Sequence, residues 1–146
     1  MRPWFIAPLA LCASVLTSSF ASADPVSSPD PSSPEGTAIL RAAGADLTGQ
    51  LGKPAKPNVK ALRVSQGWAF LWAQILQPDG QLIDYSGTPF AVAAANGGKS
   101  KMYAALLHQN GDAWDLTASR VGPTDVAWDG WSREYGAPAA IFTDLP

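Results

Sequence analysis

One histidine, His108, and one cysteine, Cys12, occur in a chain of 146 residues. Histidine titrates near neutrality and can serve as a general base. A triad also needs a nucleophile and an orienting acid, and no Gly-x-Ser-x-Gly elbow presents a serine for that role. Asp112, Asp115, Asp125 and Asp129 lie close in sequence, and paired carboxylates can do acid–base work or hold Ca²⁺. Yet Asn110, Asp112 and Asp115 lack the EF-hand spacing and its terminal Glu. Turn, strand-face and helix-cap roles explain these residues more simply. A single His and a single Cys exclude most zinc sites, Cys–His nucleophiles and haem motifs. Lys99 and Lys101 stand beside glycines, but no G-x-x-x-x-G-K-[ST] phosphate loop is present. The sequence therefore assigns no catalytic residue, no metal site and no cofactor, and a small hydrolase using Asp and His108 ranks last among its readings.

Tryptophan is the more informative residue. Trp128 and Trp131 lie three apart, and Tyr135 follows at i+7 from Trp128, which places all three on one face if the segment is helical. Such rings can stack on sugars or form a hot spot for a protein partner. They can equally dock a helix on a sheet. Arg133 in the same segment could pair with a carboxylate. Trp128, Trp131, Arg133 and Tyr135 are the candidate binding residues. Trp68 and Trp72 are an even number apart and share one face of a strand.

Periodicity supplies the elements that must position these residues. Ser33 can cap a helix with Pro34 and Glu35 in its first turn. Leu40, Ala43, Leu47 and Leu51 form one apolar stripe, and Gly52 is placed to stop the helix. Leu62 and Val64 alternate with Arg63 and Ser65 as in a half-buried strand. Residues 68–76 are nearly all apolar, as in a central strand covered on both faces. After the Gln77-Pro78-Asp79-Gly80 turn, Gln81 to Tyr85 reads as a third strand. Ser86 to Ser100 reads as the longest and most mobile loop. Met102 to His108 and Trp114 to Val121 are two further strands about an Asn110-Gly111 hairpin turn. Thr124 or Asp125 can cap the Trp-rich helix, which Gly136 and Pro138 end. Ala139 to Phe142 is either a last strand or a packed tail. The expected fold class is α+β: an N-terminal amphipathic helix on a four- to five-stranded antiparallel sheet, with a short Trp-rich C-terminal helix. The shape is cystatin-like or nuclear-transport-factor-like by analogy, which carries no function.

Hydrophobic residues make up 47% of the chain and charged residues 15%, a globular composition. A net charge of −2 without a basic patch argues against a nucleic-acid partner. Residues 1–23 read as a secretory signal: Arg2 opens it, an apolar stretch runs from Trp4 to Leu16, and Ala21-Ser22-Ala23 suits cleavage. Removal would take Cys12 with it, leave no disulfide and leave no stable membrane anchor. Residues 24–34 hold four prolines and four serines and read as an extended linker, followed by a single domain over 35–146.

Gly67-Trp68-Ala69-Phe70, Ala105-Leu106-Leu107 and Trp114 form a pattern. Gly122-Pro123-Thr124-Asp125-Val126 extends it, with Trp131, Tyr135, Gly136, Pro138 and Phe142. This pattern resembles a family of small exported bacterial proteins without an established activity. The resemblance implies a periplasmic or secreted location and carries over no site residues. The expected function is a non-catalytic binding domain that binds or inhibits a cell-envelope protein. The alternative is a small-ligand or glycan binder with a Trp/Tyr-lined pocket between helix and sheet.

Overall fold

The computed structural model describes residues 25–146. The expected signal segment, with Cys12, lies outside the described residues. Helix α1 (Pro34–Leu51) begins where its residue types require. The Ser33 hydroxyl accepts from the Gly36 amide at 3.0 Å, and Pro34 occupies the first turn, where its missing N–H costs nothing. Gly52, at φ +71°, ends the helix in the left-handed region that glycine adopts without strain. Gly36 is needed for another reason: a Cβ there would lie 2.2 Å from the Asp30 carbonyl oxygen. The buried stripe is Gly36, Ile39, Ala43, Leu47 and Leu51. Leu40, expected in that stripe, is only half-buried. Two large aliphatics stand side by side at 39 and 40, and the one four residues before Ala43 faces the sheet.

The sheet has four antiparallel strands in the order β1 (Lys56–Ser65), β2 (Trp68–Leu76), β3 (Met102–Asn110), β4 (Ala113–Val121). Gln66 and Gly67, both at positive φ, make the two-residue hairpin turn that pairs Ser65 with Trp68. The expected strand over Gln81–Tyr85 does not form. Only Leu82 bridges to Leu76, because β3 takes the free edge of β2 over seven paired positions, Trp68 to Gln74. At Asp84 the side chain accepts from the Ser86 amide at 2.9 Å, and that local turn directs the chain away from the ladder. Ile83 and Tyr85 are buried all the same, and pack into the core beside α1.

The Ser86–Ser100 loop carries a single helical turn, α2 (Ala91–Ala95), and is fastened at both ends. Tyr85 donates to the Ser100 carbonyl at 2.5 Å, Lys101 to that of Ile83 at 2.6 Å and Lys99 to that of Val121 at 2.9 Å. Lys53, just past α1, donates to the carbonyls of Asp84 and Ser86. The Pro/Ser-rich segment is likewise attached where it meets the domain. Ser27 exchanges two backbone hydrogen bonds of 2.8 Å with Val64 on the outer edge of β1.

Each face of the sheet has its own cover. Helix α1 lies on the face formed by Leu62, Val64, Ala69, Leu71, Ala73, Ile75, Ala105 and Leu107. The chain after β4 lies on the opposite face, over Phe70, Ala104, Leu106 and Ala118. The C-terminal helix is shorter than its sequence suggests. Helix α3 spans Trp131–Tyr135, with no side-chain cap from Thr124 or Asp125. Gly130, at φ +88°, breaks the helical path, so Trp128 sits in the preceding turn. Ala139–Phe142 is a 3₁₀ turn, the packed-tail alternative and not a strand. No helix among the described residues is long and apolar enough to cross a membrane.

Candidate functional site

Alternation along β2 sorts the rings from the aliphatics. Trp68, Phe70 and Trp72 point to the tail-covered face, while Ala69, Leu71, Ala73 and Ile75 point to α1. Phe70 is fully buried and forms the hub of the tail-covered face. Its ring centroid lies 5.0 Å from Phe142, 5.4 Å from Trp128 and 6.4 Å from Trp131. Trp128 also packs on Trp72 at 4.8 Å. Most of these contacts are tilted or edge-on, which the ring quadrupoles favour.

The four candidate binding residues separate in space. Trp131, one of the four candidates, is 2% exposed and belongs to the core. It begins α3, and the turn before it presses the indole onto Phe70. The Arg120 guanidinium lies over its ring, 5.9 Å from the centroid. Trp128 is half-buried and borders solvent. Tyr135 is half-buried, with its ring edge-on to Trp131 at 6.4 Å. Arg133 is exposed and has no partner among the described residues. A pocket of about 230 Å³ opens beside Trp128, lined by Val126, Asp129, Gly130, Ser132, Ala139 and Phe142. Phe142, Trp72 and Asp129 were not singled out as binding residues by sequence. Only the chain reversal after Gly136 brings Phe142 to Trp128.

The histidine and carboxylate readings find no shared site. His108 is exposed and stacks on Trp68 with ring centroids 4.2 Å apart. Asp115 is its cross-strand neighbour, but that carboxylate accepts from Asn110 at 3.1 Å. Asp112 lies at the β3–β4 turn, and Asp125 and Asp129 lie in the tail. Among the described residues no group of three or more His, Cys, Asp or Glu converges where a metal ion could sit.

Aliphatic side chains occupy the centre of the space between α1 and the sheet, where the alternative reading expects a Trp/Tyr-lined pocket. Ile39, Ala43, Leu47, Leu71, Ile75 and Leu107 fill that interface at zero exposure. Only Trp114, among the described tryptophans, packs on this side. Beside it a groove of about 370 Å³ lies between α1 and the start of β4, lined by Arg41, Ala42 and Ala45 on one side and Ala113 and Trp114 on the other.

One polar cluster escaped the sequence reading. A single oxygen of the Asp46 carboxylate on α1 accepts from Tyr103 at 2.6 Å, Gln50 at 2.7 Å and Ser119 at 2.8 Å. Burial first, and then the adjoining carboxylate, push the Tyr103 hydroxyl far above the usual phenol range. Tyr103 thus keeps its proton and remains a donor, and the cluster fastens α1 to β3 and β4. Its only sequence signal is Asp46 and Gln50, four apart on one helical face.

Comparison with known protein families, with curated proteins and with solved structures finds no match.

Proposed function

We propose that the chain is a non-catalytic, exported binding domain that engages a cell-envelope protein through the tail-covered face. The observation that carries this reading is the group of half-buried aromatics packed against the buried Phe70 and Trp131 cluster: Trp68, Trp72, Trp128, Tyr135 and Phe142. Tryptophan and tyrosine dominate the energetics of protein interfaces, because each buries a large rigid surface at small entropic cost. Among the described residues that face is covered by the five-residue α3, a 3₁₀ turn and the bends between them. Export rests on the residue types of 1–23 and on the resemblance to exported proteins.

The test is cross-linking capture of the tagged full chain in its native envelope, read by mass spectrometry. One stoichiometric protein is expected, lost on Trp128→Ala and retained on Arg41→Ala, which lies on the opposite face. Each variant is first checked for unchanged folded-state spectra. Equal capture by both variants would remove the tail-covered face from the reading, and capture of no protein would remove the protein partner. A small ligand remains the second reading, favoured by the pocket beside Trp128. At about 230 Å³ that pocket is below the usual range for drug-sized ligands and suits a single small group.

A further inference from the structure

We infer that the pocket formed by Trp128, Asp129 and Phe142 receives an organic ammonium group. Four observations converge on that chemistry. Two aromatic rings, Trp128 and Phe142, form walls of the pocket, and the negative face of such a ring attracts a cation. The Asp129 carboxylate also lines it, is exposed, and has no hydrogen-bond or ion-pair partner among the described residues. The Ser132 hydroxyl already donates its hydrogen to the Ala137 carbonyl at 2.6 Å, so its oxygen can offer the pocket only acceptance. The Trp128 indole N–H is then the one side-chain donor left in the lining.

A lining dominated by acceptors and rings selects a donor that is also a cation. A sugar needs donors and acceptors in alternation, and an anion would meet Asp129 as a like charge. Val126, 58% exposed at the rim, adds an apolar contact for methyl or methylene groups beside the charge. The charge count is consistent with that choice and no more: from Thr124 to Pro146 four carboxylates stand against Arg133, while Arg63 and Arg120 of the sheet also lie against this segment.

This inference rests on the proposed function in placing the contact on the tail-covered face, and it names the group that face accepts. The carrier is either a lysine side chain of the envelope partner or a free methylated amine. The test uses the full chain with labelled tryptophan and backbone nitrogen, followed by NMR. Trp128→Phe identifies the Trp128 indole resonance by its disappearance. Tetramethylammonium chloride and a blocked lysine (acetylated and amidated) are titrated in turn, with sodium chloride and glucose as controls. Both ammonium probes are expected to shift the Trp128 indole and the Asp129–Ser132 amides in a saturable way. Asp129→Asn should weaken both by about tenfold, as loss of one opposed charge at a partly dry site predicts. Asp129 makes no side-chain contact whose loss would disturb the fold. A tighter response to the lysine probe assigns a protein carrier, and a tighter response to tetramethylammonium assigns a methylated small molecule. Either supports the inference. No saturable shift in the parent chain, an unchanged response in Asp129→Asn, or glucose acting where the ammonium probes do not would each overturn it. An empty envelope capture would remove the protein partner and leave these titrations to decide the pocket.

Discussion

On the α1 side, Leu71, Ala73, Ile75, Ala105 and Leu107 are fully excluded from solvent by the 18-residue helix together with Ile83, Tyr85 and Phe90 of the loop segment. Under the C-terminal tail, Phe70 and Leu106 are excluded as completely, yet Trp68 and Trp72 on the same strand as Phe70 stay half-exposed. The strands are shared, so the difference lies in the covers and in what each must match. A regular helix repeats its apolar stripe every turn and seals aliphatic side chains of similar size. The tail offers a five-residue helix, a 3₁₀ turn and the bends between them. It seals large rings only where one of its own rings meets them edge-on, and it leaves the flanks open. The closed face also carries its polar groups as a satisfied cluster about Asp46, whereas the tail-covered face leaves Asp129 without a partner. The α1 side is packed with aliphatic side chains, while the tail side keeps half-buried rings at its flanks.

The sharpest way to break that contrast is to truncate one core residue on each face. Leu47→Ala should cost about 2–5 kcal/mol and Trp131→Ala about 3–5 kcal/mol, since both leave a cavity in a fully packed site. Urea unfolding of the two variants measures this. Similar losses would make the tail part of one cooperative fold, while a cost below about 1 kcal/mol for Trp131→Ala would make it a detachable cover. A smaller loss is expected from Tyr103→Phe. It removes the hydroxyl that donates to the Asp46 carboxylate at 2.6 Å. A hydrogen bond to a charged group contributes about 1.5–3 kcal/mol. The loss should appear in α1 stability with the Trp128 environment unchanged, and a shift of the Trp128 indole resonance would show the two faces to be coupled.

The last effect is on pH. Burial pushes the Tyr85 hydroxyl, in the α1-side core, from its ordinary value near 10 up to about 12. The folded chain therefore holds this proton more firmly than the unfolded chain. The associated stability is complete below pH 10 and is lost as pH rises toward about 12. Tyr103 moves in the same direction for the same leading reason. Denaturation midpoints should stay level with respect to these two groups up to pH 10 and fall above it. A level profile to pH 12 would mean that solvent reaches both hydroxyls in the folded chain.

Much of the helix-covered face was legible in advance. Ser33, Pro34 and Gly52 bound α1 through local chemistry, and the apolar run of β2 announced a strand covered twice. The tail was legible only in part. Trp128, Trp131 and Tyr135 have helical spacing, but Gly130 interrupts the helix between the first two, and pattern alone cannot weigh one glycine against three rings. Gln81–Tyr85 follows a turn signal as a strand would, but the edge of β2 is not free to pair with it. That edge belongs to β3, which comes later in the chain. The Asp46 cluster was hidden because two of its three donors, Tyr103 and Ser119, come from residues 57 and 73 positions further along.

The sequence by itself determined the α+β class, the bounds of α1, the tight turn between β3 and β4 and the even spacing that puts Trp68 and Trp72 on one face of β2. All of these follow from interactions within a few residues: caps, turn geometry and the two-residue period of a strand. Tertiary structure alone decided that Trp131 is core while Trp128 borders solvent, that Phe142 joins it across a chain reversal, and that Asp129 is left facing an aromatic pocket. Those outcomes depend on which surfaces remain once α1 and β3 have taken their places, and burial is a property of the whole packed chain.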